Sequence, residues 1–322
     1  MNNSLFCRFL RMSLFACLFT VLTVGIYAVP PARTETPGGS KVYFTTDISA
    51  KGLLAAFTRL NTPVSGKVAV KLHMGEDGNA NYLRPELLRD LVTTVQGSFV
   101  DSNTLYGGKR GTTAGHLAVA RDHGFTLAPV DILDADGDSR IPVNGGTRLK
   151  EIIVGSHILN YDWIISVAHF KGHAMAGFGG TFKNMAVGIA SPAGKRTIHS
   201  NGPDAGTWSS SGDVFFEKIV EYNKALIDSM DGKVLFINIL NNLSVDCDCD
   251  GHAAKPEMKD IGILASTDPV ALEKASLDMI YAAPEKERSH LVERIESRNG
   301  IYQIIYAEKL GLGSQKYELV RF

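Results

Sequence analysis

Asp162-Trp-Ile-Ile-Ser-Val-Ala168 is an apolar run that stops abruptly at His169-Phe-Lys171-Gly-His173. A short run of this kind, bounded by polar residues, reads as a strand buried on both faces, as in a parallel sheet. Upstream, Lys67-Val-Ala-Val-Lys-Leu-His73, Ser98-Phe-Val-Asp101 and Val130-Asp-Ile-Leu133 read as further strands. Helical patterns lie between them: Pro85 suits the first turn of one, and Gly124 suits the C-terminal cap of another. Downstream, Lys233-Val-Leu-Phe-Ile-Asn-Ile-Leu240 and Asp260-Ile-Gly-Ile-Leu-Ala265 are strands, a final strand covers 316–321, and Asp213 and Asp268 are placed to cap helices. Strands alternating with helices predict an α/β fold, with largely parallel sheets flanked by helices. The expected organisation is two lobes, 41–201 and 213–322, with a site between them.

In such sheets ligands gather at the carboxyl ends of the strands. Four polar clusters fall there: Lys71 with His73, Asp101 with Asn103, Asp134 with Asp136, and His169 with His173. One such cluster is ordinary, whereas four predict a common rim. The stretch from His169 to His199 is the richest, with His173, Lys171, Lys183, Asn184 and the glycines Gly177, Gly179 and Gly180. A packed core has little use for that mixture, since buried His and Lys cost free energy unless partnered. A glycine-rich loop approaching an anion or cofactor would use it. The bland alternative is a loop whose histidines are merely hydrogen-bonded.

The chain has 322 residues and a formal net charge of −1. Arg8 and Arg11 precede an apolar segment from Met12 to Gly25, and Ile26-Tyr27-Ala28 follows, the build of a secretory signal peptide cut after Ala28. An uncleaved anchor and a lipid-modified Cys17 are the rival readings. Residues 29–40, rich in Pro, Gly, Thr and Ser, form a disordered lead-in. Cleavage removes two arginines and no acid, leaving 31 basic against 34 acidic residues, a net charge of −3. The expected location is secreted or periplasmic, with no stable membrane span after cleavage. The near-neutral balance and the lack of a basic helix exclude nucleic acid as a partner. A small-molecule substrate is expected, and oligomeric state is not legible.

His169-Phe-Lys-Gly-His173, Gly177-Phe-Gly-Gly180, Lys183-Asn184 and Gly188 resemble the family named domain of unknown function 362, whose members are often called iron–sulfur centre proteins. Val70-Lys-Leu-His-Met-Gly75, Asp101-Ser-Asn-Thr-Leu-Tyr106, Asp246-Cys-Asp-Cys249 and Asp260-Ile-Gly-Ile-Leu-Ala-Ser-Thr-Asp-Pro-Val270 fit the same family, so the resemblance covers about 42–322. Many relatives carry a ferredoxin-like insert with four-cysteine motifs, and this chain does not. More distantly, His173, Gly177-Phe-Gly-Gly180, Lys183, Gly188-Ile-Ala-Ser191 and His199 resemble the cofactor segment of lactate racemase. That resemblance implies a nickel-pincer nucleotide on Lys183, His199 as nickel ligand and His173 as acid/base. The second acid/base histidine of that family has no counterpart after Asp101, leaving His73, His116 or His169 as substitutes. Lys71, His73, Asn184 and the three glycines are the expected cofactor contacts.

With the signal removed, the cysteines are Cys247 and Cys249. They read in three ways: thiolate ligands to a transition metal ion or iron–sulfur cluster with His252, a strained disulfide, or incidental to a calcium loop built from Asp246, Asp248, Asp250 and Glu257. The expected function is a metal-dependent enzyme, redox or isomerase-like, acting on a small anionic substrate with Lys171, His173, Lys183, His199 and the cysteines around the site. The alternative is a non-catalytic metal-binding or electron-carrying protein.

Overall fold

The computed structural model describes residues 39–322. The expected signal peptide and nearly all of the lead-in lie outside these residues. Eight strands form the main sheet: β1 Ser40–Thr45, β2 Val68–Lys71, β3 Ser98–Asp101, β4 Val130–Ile132, β7 Trp163–His169, β10 Val234–Leu240, β11 Gly262–Ser266 and β12 Tyr317–Arg321. Their spatial order is β12-β1-β11-β10-β7-β2-β3-β4. Only β11 opposes the rest: it pairs antiparallel with β10 and β1, whereas the other neighbours pair parallel. The sheet is mixed but mostly parallel, as the buried apolar strands require.

Successive side chains of a strand point to opposite faces, and the core divides accordingly. Ile164, Val234, Phe236 and Leu240 join one apolar cluster, while Ile165, Val167, Leu235, Ile237 and Ile239 join another. Helices α1 Ala50–Arg59, α2 Pro85–Thr94 and α3 Thr113–Asp122 cover the second cluster through Leu53, Leu88 and Ala120. Helices α4 Thr181–Ile189, α5 Pro192–His199, α6 Gly212–Ser229 and α7 Pro269–Ala282, backed by α8 Glu285–Ser297 and α9 Tyr302–Lys309, cover the first. Capping sets several starts: Ser49, Thr112, Ser191 and Asp268 each accept backbone N–H bonds at the head of their helix. Pro85, Pro192 and Pro269 occupy first turns, where their missing N–H costs nothing.

Both expected lobes contribute to this one sheet. Strand β1 sits between β11 and β12, and β7 pairs along its length with β10. The stretch expected as a glycine-rich loop is ordered instead. Strand β7 turns into a hairpin of β8 Lys171–His173 and β9 Gly177–Gly179, followed by α4 and α5. A second hairpin pairs β5 Asp138–Pro142 with β6 Glu151–Gly155. The cap of α6 is Ser211, and Asp213 lies in its first turn, favourable to the helix dipole.

The chain runs β2 to β3 to β4 outward in one direction, then returns to place β7 on the other side of β2 and β10 beyond it. The order reverses between β2 and β7. Such a switch point opens a crevice at the carboxyl ends of the two strands. Lys71 ends one strand and His169 the other.

Candidate active site

A cavity of about 720 Å³ opens at this switch point. Its wall includes Lys71, His73, Lys171, His173, Gly179, Gly180, Lys183, Asn184, His199, Cys247, Cys249 and His252, so most residues singled out from sequence converge there. His169 and Gly177 do not line it. A Cβ on Gly177, at φ +74°, would meet Ile295 O at 3.0 Å, so this glycine serves a close backbone approach to α8. Gly180 lacks a Cβ for a related reason: one would lie 2.2 Å from Glu273 Oε2. Glu273 in turn accepts from Phe182 N at 2.9 Å and caps α4. Its burial pushes its pKa up to about 7.

Asn184 fixes α4 over the crevice by donating to Lys71 O and Ser166 Oγ, both at 2.9 Å. Beneath it lies a buried charge network. The Asp101 carboxylate holds Lys71 Nζ at 3.1 Å and Arg110 at 3.0 Å. Burial works against its charge, but Lys71, His116 and Arg110 together hold its pKa well below the usual range. Lys71 is fully enclosed, and desolvation lowers its pKa to about 8 despite Asp101. Gly188 makes room for it, since a Cβ there would sit 2.2 Å from Lys71 Nζ. Lys195 of α5 donates to Ser102 Oγ and Ala190 O, both at 2.6 Å, and burial brings its pKa down to about 7.

Hydrogen bonds decide what each histidine can do. In His169, Nδ1 lies 2.9 Å from the Asp248 carboxylate and Nε2 lies 2.6 Å from Asn241 O. Both nitrogens face acceptors, and neither reaches the cavity. Asp248 also binds Lys171 Nζ at 3.0 Å; His169 and Lys171 overcome the cost of burial and keep it ionised. His73 is the reverse case: Arg110 points a donor at Nε2 from 3.0 Å, and Gly75 N points another at Nδ1. A guanidinium only donates, so His73 has no free lone pair for a substrate. Arg110 also donates to His116 Nε2, at 3.1 Å, leaving the buried His116 Nδ1 without a partner. None of these three presents a free nitrogen to the cavity, which removes each of them as the second acid/base histidine.

His173 and His199 differ from them and from each other. In His173, Nδ1 accepts from Met175 N at 3.2 Å and Ala176 N at 3.0 Å, which puts the proton of the neutral ring on Nε2. Burial, with Lys183 and His199 adding to it, lowers its pKa well below the usual range and keeps it neutral. His199 Nδ1 faces Lys195 O at 2.7 Å and must donate, which leaves Nε2 as a lone pair. Burial lowers the pKa of His199 to about 4. Trp208, half exposed on the following segment, meets His199 edge-on at 5.0 Å.

The cysteines lie close beside His173 and Lys183. Cys249 N donates to Cys247 Sγ at 3.4 Å, and Lys183 Nζ lies 3.8 Å from the same sulfur. The Cys249 thiol donates to Cys247, and Lys183 and Lys171 add positive charge, lowering the Cys247 pKa to about 5 while that of Cys249 rises. Ligand atoms of His173, Cys247 and Cys249 lie within 4.8 Å of one another, a group that could hold a metal ion. His252 is exposed at the rim, outside that group. The carboxylates of the calcium-loop pattern have separate partners: Asp246 accepts from Ala254 N and Arg294, Asp250 from His252 N, and Glu257 faces His290.

Two wall residues, Arg110 and Lys195, were not singled out from sequence. Arg110 follows Gly107-Gly108-Lys109, a basic step between glycines just after the Asp101 strand. Lys195 stands four residues before His199, one helical turn away, and its carbonyl sets the tautomer of that ring. Among the described residues no helix is long and apolar enough to cross a membrane.

No curated protein matches the chain. Among solved structures it is similar to the lactate racemase apoprotein from Thermoanaerobacterium thermosaccharolyticum, at 12% identity and a TM-score of 0.41, over 75% of this chain and 57% of that one. It is also similar to a structural-genomics protein from Thermotoga maritima, at 12% identity and a TM-score of 0.41, over 78% of this chain and 58% of that one. The chain therefore spans less than two thirds of the length of either. The family model described as Domain of unknown function (DUF362) matches residues 68–278, from the first residue of β2 into α7, and the chain belongs to that family.

Proposed function

We propose that this chain is an exported enzyme that admits a small anionic substrate to the switch-point cavity and moves a proton on it, with a metal-bearing cofactor seated at His199 and Lys183. The carrying observation is the pair of oppositely fixed tautomers: His173 offers Nε2–H, and His199 offers an Nε2 lone pair. Backbone groups set both states, so neither ring has to reorganise when substrate arrives. Lys183 and Lys195 have no carboxylate partner among the described residues, unlike Lys71 and Lys171. With Lys183 carrying the cofactor, Lys195 in its protonated form is the cation left to meet an anion.

The donor set fits a metal at His199. Its Nδ1–H is committed to a carbonyl, the outer contact that metal-ligating histidines make, and Nε2 stays open. A metal there would supply a Lewis-acidic centre. Lys183, half buried beside it, is the side chain on which a nucleotide cofactor would be anchored, as the resemblance to lactate racemase implies. His173 would then donate its Nε2 proton to the substrate from the adjacent wall.

The test uses protein purified from its own host, incubated in D2O with a panel of small 2-hydroxy and 2-amino carboxylic acids. Deuterium uptake beside the carboxylate is followed by NMR, with metal content and intact mass measured on the same sample. Uptake that disappears in His173→Gln supports the reading. No uptake, or uptake indifferent to that change, overturns it.

A second reading, a non-catalytic metal or iron–sulfur carrier, is favoured by the proximity of His173, Cys247 and Cys249. The tautomer of His173 weighs against it, because a metal on Nε2 would leave a protonated Nδ1 facing two N–H donors. Stoichiometric iron or zinc lost on Cys247→Ser, with no conversion of any acid, would favour the carrier.

A further inference from the structure

We propose that, in chains whose Lys183 amine is free, Cys247 and Cys249 form a dithiol–disulfide couple that exchanges with a small anionic disulfide in the cavity. Both cysteines line the cavity, and their sulfurs lie within 4.8 Å of each other. Cys247 Sγ receives the Cys249 backbone N–H at 3.4 Å and has Lys183 Nζ at 3.8 Å. Lys171, anchored to the intervening Asp248, adds a second cation nearby. These contacts stabilise a thiolate at Cys247 and make it the attacking sulfur. Cys249, half buried and donating its thiol proton toward Cys247, is the resolving one.

The exchange balances in two steps. Cys247 thiolate attacks one sulfur of the small disulfide, whose S–S bond breaks and releases one thiolate. The Cys249 thiol passes its proton to that thiolate and attacks Cys247 Sγ in the mixed disulfide, expelling the second small thiolate. The two cysteines are oxidised, and the small disulfide is reduced to a thiol and a thiolate. The same cations that favour the Cys247 thiolate attract an anionic disulfide. The protein disulfide spans one intervening residue, a tight ring, and strained disulfides of this kind are the readily reduced ones.

A metal at these sulfurs would need further ligands. The neighbouring ring, His173, presents a proton to the cavity and not a lone pair. That is why exchange chemistry, and not ligation, is assigned to the pair.

The test incubates the full protein with oxidised glutathione at graded ratios to reduced glutathione, followed by acid quench and thiol alkylation. The tryptic fragment carrying both cysteines is then weighed. The expected native product is a fragment lighter by two hydrogens that takes up no alkylating agent, and reduced glutathione reverses it. Cys249→Ser should trap a glutathione adduct on Cys247, and Lys183→Met should slow trapping about tenfold. Cys247→Ser should react far more slowly through Cys249. The proposal is overturned if both thiols stay alkylatable at every ratio, if Cys247→Ser traps as fast as Cys249→Ser, or if the purified protein carries one metal per chain that Cys247→Ser releases.

Discussion

Replacing Asp101 by Asn tests the buried network beneath the cavity. Asp101 is 1% exposed and carries two full cations, Lys71 at 3.1 Å and Arg110 at 3.0 Å, both enclosed. The amide keeps the shape and removes the charge, so two buried cations lose their counter-ion. Breaking a buried pair by removing one partner costs roughly 3–5 kcal/mol. At roughly 2–4 °C per kcal/mol for a domain of this size, the melting temperature should fall by roughly 6–20 °C. The pH dependence gives a second reading. The pKa of Asp101 is depressed in the fold, so its stabilisation is present above the unfolded carboxylate pKa and lost as pH falls through the lower folded value. The native protein should therefore lose stability in acid faster than Asp101→Asn does. Guanidinium melts between pH 3 and 7 measure both effects. Adding Lys71→Met to Asp101→Asn removes one of the stranded cations, so the double variant should lose less than the two single losses added together. A cost under about 1 kcal/mol for Asp101→Asn, or strict additivity in the double variant, would refute the reasoning.

Two other buried groups shape stability at neutral pH. The pKa of Glu273 is raised to about 7, so its stabilisation is complete below the unfolded value and lost as pH rises through 7. Glu273→Gln should flatten the fall between pH 5 and 7 in the same melts. The pKa of Lys195 is lowered to about 7, so stability should rise above pH 7 as the folded state sheds that proton first, and Lys195→Met should remove the rise. Gly188→Ala places a methyl group 2.2 Å from Lys71 Nζ and should destabilise by about 1–3 kcal/mol in chemical denaturation, where a neutral result would show that Lys71 can move aside. N-terminal sequencing of protein secreted by its own host should begin at Val29, and a chain that retains Arg8 and Arg11 would sink the export reading.

The sheet was legible because its central strands are apolar on both faces and end in polar clusters, which is how Asp162–Ala168 and His169 read together. The rim was legible for the same reason, since Lys71, Asp101 and His169 each end a strand. The segment from Gly177 to His199 was not, because six glycines from Gly172 to Gly194 argue locally against helix. Tertiary contacts override that preference. A Cβ on Gly194 would meet Ile153 O at 1.9 Å, and Gly188 clears Lys71, so the glycines let helices pack closely and do not mark a loop. Ser191 caps α5 and Pro192 fills its first turn, a helix start that the reading of this stretch as a loop passed over. Histidine roles could not be read at all. His73, His169, His173 and His199 are alike in sequence, and only the donors and acceptors around each ring separate a proton donor from a lone pair or a locked strut.

The placement of β1 bears on how the molecule assembles in time. Ser40–Thr45 is wedged between β11 and β12, each more than two hundred residues further along the chain, so its partners do not exist when it is made. Loop closure over such a span is entropically slow, and an unpaired strand is prone to stray pairing while it waits. The parallel pairs β2–β3–β4 can form early, but the opposite edge of the sheet, β1 with β12, closes only after Arg321 has been added. Chains that stall before β12 should leave the outer edge of β1 unpaired and be cleared by proteases.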